Sequence, residues 1–262
     1  MKKLLGCLLI VCALTSCSKE SSRTAAPAKL ATTGNMTPKK VTNATLSFSG
    51  YTWTVKDFGA EVAGPGPNIW KTANAFVDAN GYLHLKLTKN ATTGVWECAE
   101  VTSLQSFGYG TYQWKVEGPV NSLDKYIVLG LFNYSGANER DEMDIEYAKW
   151  GVATNAWANY TVYPKQTDGP ANFHMASTFT MGGTYTTNRF KRTASSVVFK
   201  TLNGFYDDDT NLAYTTTCSS PPNSISTLSM PVHMNLWLFQ GHAPASNNTV
   251  EIIIHEFKFT PL

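Results

Sequence analysis

Charged residues are scarce in this chain of 262 residues, making up 15% of it, and no window sustains the 3.6-residue apolar period of an amphipathic helix. A helical bundle is therefore not expected. The five histidines, at positions 84, 174, 233, 242 and 255, are scattered without ligand spacing, so no metal site is expected, and no cofactor either. Internal repeats are lacking, and nothing after the first residues resembles a membrane span. Basic residues are also thin where nucleic-acid binding would need them. Residues 1 to 40 hold seven of the 21 Lys and Arg against Glu20 alone, which leaves 14 basic and 18 acidic residues, a net of −4, for the rest. The formal charge of +2 thus hides a mildly acidic domain with no electrostatic footprint for nucleic acid, and a neutral substrate suits it better.

What is present begins with a basic Met1-Lys2-Lys3, an apolar stretch from Leu4 to Leu14, and then Thr15, Ser16 and Cys17. The stretch is too short to cross a bilayer and reads as a signal peptide over residues 1–16. Leu14-Thr15-Ser16-Cys17 resembles a bacterial lipobox, in which the Cys becomes the lipidated first residue, so an exported lipoprotein is expected, held to a membrane through Cys17 at the periplasmic side or the cell surface. Residues 17–45 are Ser, Thr, Ala, Pro and Lys with few large apolar side chains, a composition that cannot offset the entropy of ordering, and they read as a flexible linker. Residues 46–262 then form one domain, expected to act as a monomer. Cys7 and Cys12 fall in the signal, so only Cys98 and Cys218 are left either to pair or to stay apart as small buried hydrophobes.

Within the domain, short alternating runs rich in aromatic and β-branched residues recur between Gly, Pro, Asn and Asp. The clearest are Tyr82 to Leu87, Thr111 to Val116, Ile127 to Phe132, Ser196 to Leu202 and Val250 to Phe259, with tight turns expected at Asn80-Gly81 and Asn203-Gly204. This pattern predicts an all-β sandwich. The chain also holds seven Trp, twelve Tyr and thirteen Phe, most of them expected in the core and the remainder along a cleft, where aromatic faces match the apolar faces of sugar rings.

Glu142-Met143-Asp144-Ile145-Glu146 places three carboxylates at i, i+2 and i+4, so in a strand all three share one face while Met143 and Ile145 enter the core. An ordinary amphipathic strand would alternate such acids with Lys or Thr, because like charges side by side repel. The Cα atoms of Glu142 and Glu146 would lie about 13 Å apart, at roughly 3.3 Å per residue. Curvature and side-chain lean must bring the carboxyls together if they are to act as a pair, since retaining glycosidases need about 5 Å.

Four segments taken in order, Cys98-Ala99-Glu100, Phe107 to Tyr112, Glu142 to Glu146 and Met234-Asn235-Leu236-Trp237, resemble glycoside hydrolase family 16, and their spacing is similar to that of its bacterial lichenases. The likeness runs from about Trp53 to the C-terminus. It implies a β-jelly-roll sandwich of two antiparallel sheets, concanavalin A-like, with a substrate cleft on the concave face. It further implies that Glu142 is a nucleophile, Asp144 an assisting carboxylate and Glu146 an acid/base. By the same resemblance Glu100 and Asn159 hydrogen-bond sugar and Tyr134 and Trp237 stack on it. The resemblance implies a retaining endo-β-glucanase, and because the motif lacks the extra residue of the bulged laminarinase type it resembles that of lichenases and xyloglucan-active enzymes, which leans toward mixed-linkage β-1,3-1,4-glucan as substrate, with a laminarin- or xyloglucan-active relative as the alternative.

Some positions depart from that pattern. Arg140 stands where lichenases carry Trp, and is expected to hydrogen-bond sugar or to lower the pKa of Glu142; Thr102 replaces an Arg. Lys191, Arg192 and Thr193 enter a strand where an aromatic residue is usual, so the packing there must differ. His255 sits roughly where many relatives have a calcium-binding Asp, and the Cys that pairs with the equivalent of Cys98 is missing. The departures at Arg140 and Thr102 keep a second reading open, a glucan-binding lipoprotein with impaired catalysis, and a third is a transglycosylase, in which a sugar hydroxyl replaces water in the second step.

Overall fold

The computed structural model describes residues 44–262, and the signal peptide, Cys17 and the linker up to residue 43 lie outside the described residues. The strands form two large antiparallel sheets. One runs from edge to edge as β1 (Thr45–Phe48), β2 (Tyr51–Val55), β7 (Trp96–Phe107), β16 (Met230–Leu238), β9 (Ile127–Tyr134), β10 (Glu142–Tyr147), β11 (Ala158–Tyr163) and β12 (Phe173–Ser177). The other runs as β5 (Ala75–Val77), β6 (Leu83–Lys89), β17 (Val250–Pro261), β8 (Gly110–Glu117), β13 (Tyr185–Arg192), β14 (Ser196–Asn203) and β15 (Leu212–Ser219). A short ribbon of β3 (Val62–Ala63) and β4 (Asn68–Trp70) joins β7, as does β6, so the sheets are stitched together along one side. The result is the all-β jelly roll that the alternating pattern and the resemblance imply.

Alternation decides which face each strand buries. On β10, Met143, Ile145 and Tyr147 are fully buried between the sheets, which forces Glu142, Asp144 and Glu146 to the opposite face. Facing them across the core are large rings, with Tyr112 and Phe190 stacked at 4.6 Å between centroids and Trp114 at 5.3 Å from Phe257. Arg192, expected to disturb the packing, lies wholly inside this core. Its guanidinium donates to Asn133 Oδ1 at 3.0 Å and to the carbonyls of Ser226 and Leu228 at 2.6 Å each, and it lies over the Tyr109 ring. A cation buried at this depth is tolerated because both of its terminal nitrogens find acceptors, although its Nε has none.

One local expectation needs adjustment. Gly81 adopts φ 83° in the short link between β5 and β6, as a tight turn requires, and Gly204 adopts φ 88°. Residue 204, however, opens a longer connection, 204–211, between β14 and β15, which Arg189 holds by donating to the carbonyls of Tyr206 and Asp208. Cys98 and Cys218 are both free and buried, on β7 and β15.

Candidate active site

Cross-strand register assembles a cleft of about 350 Å³ on the face of the first sheet turned away from the core. Three rows cross it. Glu100, Asn235, Gly130, Glu146 and Asn159 make one row; Thr102, His233, Phe132, Asp144 and Thr161 make the next; Tyr134, Glu142 and Tyr163 make the third. Gly130 stands opposite both Glu146 and Asn235, and a Cβ there would come within 2.5 Å of Asn235 Oδ1. The missing side chain is what leaves room for the Asn235 amide between Glu100 and Glu146. Tyr134 and Trp237 line the same cleft, together with Lys56, Pro65 and Asn138.

The three carboxyls are electrostatically coupled. Burial pushes Glu142 up to about 7, and Glu139 nearby adds to this, whereas a hydrogen bond from Asp144 favours the ionised form of Glu142. Asp144, deeper and 4% exposed, is raised well above the ordinary range by burial and by the charges of Glu142 and Glu146. Burial, with the charge of Glu142, also raises Glu146 to about 8. Three acids side by side along one strand cannot all ionise where burial strips them of solvation. The resulting order is a protonated Asp144 donating to an ionised Glu142, with Glu146 retaining its proton at neutral pH.

Glu100 behaves differently. Burial alone would raise it, but hydrogen bonds and charge from His233 and Lys56 hold it below the usual carboxylate range. Lys56 Nζ lies 2.9 Å from Glu100 Oε2 and over the Trp70 ring, and His233 Nδ1 lies 3.4 Å from Glu100 Oε1 and 3.0 Å from Thr102 Oγ1. Asn235 Nδ2 donates to Glu100 Oε2 at 3.3 Å, while its buried Oδ1 has no partner. Lys56, His233, Phe132 and Asn235 were not singled out as contacts from the sequence. Alternation was the local signal that could have found three of them, since Phe132 stands two residues from Tyr134, and His233 and Asn235 stand four and two residues from Trp237.

Two sequence-based expectations change. Asn159 shares the cleft face, but its amide donates to the carbonyls of Glu146 and Ala148 and accepts from the indole of Trp150 at 3.1 Å, so it holds Trp150 in place instead of presenting its amide to a sugar. Arg140 precedes β10 and donates to the carbonyl of Glu139; it does not line the cleft, and the protonation of Glu142 is set by its own burial, Asp144 and Glu139. His255, the position compared with a calcium ligand, bonds Glu117 through Nε2 at 2.7 Å.

No protein-family model matches the chain. Over 81 residues it is 32% identical to a β-glucanase of Bacillus amyloliquefaciens, a match spanning 30% of this chain and 32% of the relative's length. Among solved structures it is similar to the Bacillus licheniformis β-glucanase, with a TM-score of 0.62 and 20% identity over 85% of this chain and all of that one. A family 16 glycoside hydrolase of the Bacteroides ovatus mixed-linkage glucan PUL, solved with product, gives a TM-score of 0.60 and 13% identity over 79% of this chain and 94% of that one. An antigen of Mycobacterium tuberculosis described as a pseudo β-1,3-glucanase gives 0.58 and 19% over 78% and 88%. The chain therefore has the jelly-roll fold of these proteins.

Proposed function

We propose that this protein is a retaining endo-β-glucanase of glycoside hydrolase family 16, exported and anchored through lipid on Cys17, and acting on mixed-linkage β-1,3-1,4-glucan. The observation that carries the reading is the row of three coupled carboxyls on β10, raised together on the floor of a cleft with aromatic walls. Glu146, kept protonated by burial, donates its proton to the glycosidic oxygen. Glu142, kept ionised by the hydrogen bond from Asp144, attacks the anomeric carbon and forms a glycosyl-enzyme. Water then breaks that bond while Glu146 takes the proton back. Tyr134 and Trp237 offer rings for stacking, and Glu100 and Asn235 offer polar atoms to the sugar hydroxyls.

Reducing-end release from barley β-glucan, laminarin and xyloglucan tests this. Glu142→Gln and Glu146→Gln should each abolish release while the fold persists. Full activity in either purified variant removes the assignment. The pseudo-glucanase neighbour favours a second reading, glucan binding without turnover, and wild-type protein that binds every polysaccharide and releases nothing would establish it.

A further inference from the structure

The outer face of the second sheet, distant in topology from the cleft, holds a groove of about 430 Å³ that the proposed reaction does not use. Two cross-strand rows line it. Lys258 of β17, Gln113 of β8, Arg189 of β13 and Lys200 of β14 stand side by side in one, and Thr260, Thr111, Lys191 and Val198 in the other. Three strand spacings of roughly 4.8 Å spread the first row over about 14 Å.

Cations outnumber acids on this face. Lys115 meets Asp207 at 3.0 Å and Glu256 at 2.9 Å, Lys258 reaches Asp207 at 3.7 Å, and Arg189 and Lys200 share Asp209. Four cations thus share three carboxylates, and the fifth, Lys191, is exposed with no acidic partner among the described residues. Arg189 and Lys200 are directly opposed across β13 and β14, and the single carboxylate of Asp209 bridges them, leaving one positive charge in excess there. Arg189 is 9% exposed, and its Nε is buried without a hydrogen-bond partner. An excess of cations on one face of a domain whose net charge is −4 calls for an anionic counterpart.

We propose that this groove binds an anionic polysaccharide, a chain bearing carboxylates at regular intervals. The cations are strung along two rows and do not converge on one point, which suits a linear polymer better than a single small anion. Thr111, Thr260 and Gln113 supply hydroxyl and amide groups between them for the sugar hydroxyls. The lining has no aromatic ring, which separates it chemically from the cleft with Tyr134 and Trp237 and explains why a neutral glucan would choose the cleft. Lys191, out of keeping with family 16 in the sequence, acquires a role here.

Native gel electrophoresis of the full chain through gels containing polygalacturonate is the test. The wild-type protein should be retarded, salt should relieve the retardation, and the Lys191→Ala/Lys258→Ala variant should bind at least ten-fold more weakly. Glu142→Gln should be retarded as strongly as wild type, and the double lysine variant should keep its melting temperature and its action on barley β-glucan. No retardation of wild type, or equal retardation of the double variant, overturns the proposal. Equal affinity for inorganic polyphosphate or for phosphatidylglycerol vesicles also overturns it, because the face would then select charge alone.

Discussion

Replacing Glu146 with Gln should stabilise the protein near neutral pH while removing turnover. Burial, with the charge of Glu142, raises the folded-state pKa of Glu146 from 4.5 to about 8. In the unfolded chain the group returns to its ordinary value. The folded state therefore suffers no penalty below pH 4.5 and loses stability as pH climbs toward 8, since the unfolded chain releases the proton first. At pH 7 the interval from 4.5, at about 1.4 kcal/mol per decade, corresponds to on the order of 3 kcal/mol. Coupling to Glu142 and Asp144 divides that figure, which makes it an upper bound. Gln keeps the shape and stays neutral at every pH, so the variant escapes the penalty. For a domain of this size each kcal/mol moves Tm by about 2–4 °C, and the expected gain at pH 7 is several degrees, shrinking to nothing at pH 4. Thermal denaturation of both proteins from pH 4 to pH 9 measures it. A variant melting at or below the wild type at pH 7, or a gap that ignores pH, would refute a half-buried, uncompensated Glu146.

The same protonation order fixes the pH–rate profile: kcat/KM should fall below about 7 as Glu142 protonates and above about 8 as Glu146 loses its proton, and an optimum below pH 6 in initial-rate assays would contradict it. Because Asp144 acts as a donor to Glu142, Asp144→Asn should retain at least ten-fold more activity than Asp144→Ala, and equal losses would show that the proton is elsewhere. Gly130→Ala puts a Cβ at 2.5 Å from Asn235 Oδ1; it should cost roughly 1–3 kcal/mol in denaturant titration and over ten-fold in kcat/KM.

The sandwich was legible because alternation is a local signal: the runs at 111–116, 127–132 and 196–202 fall within β8, β9 and β14, and β10 buries Met143 and Ile145 as the pattern dictates. The acids of the candidate site were legible for the same reason, lying on one face of a single strand. What escaped was register. His233 and Glu100 are 133 positions apart and meet only because β16 pairs with β7, and no spacing in the sequence encodes that. Asn159 was placed on the correct face, yet its partners, two backbone carbonyls and Trp150, depend on how the chain turns after β10. Arg140 was misread because the chain before β10 takes positive φ at Glu139 and Asp141, and the guanidinium ends on the Glu139 carbonyl outside the cleft.

The replacement at Thr102 shows how this chain keeps an anion in its cleft without the usual Arg. Thr102 carries no charge, and its hydroxyl instead holds His233 Nδ1 at 3.0 Å. The fixed cation comes from Lys56, just after β2, which also donates to the Gly64 carbonyl at 2.6 Å and so ties the neighbouring loop to Glu100. Lys56→Met keeps most of the stem that covers Trp70 and removes the charge. Burial, the largest influence on Glu100, would then no longer be offset by Lys56, and the carboxyl should take up a proton at higher pH. A protonated Glu100 accepts poorly from Asn235, whose amide is then free to turn, and sugar binding should suffer more than chemistry. The expected result is a KM increase of about ten-fold that grows as pH falls from 7 to 5, with kcat changed less than three-fold. A variant whose kcat collapses at constant KM would place Lys56 in the service of the β10 carboxyls and would overturn this account of Glu100.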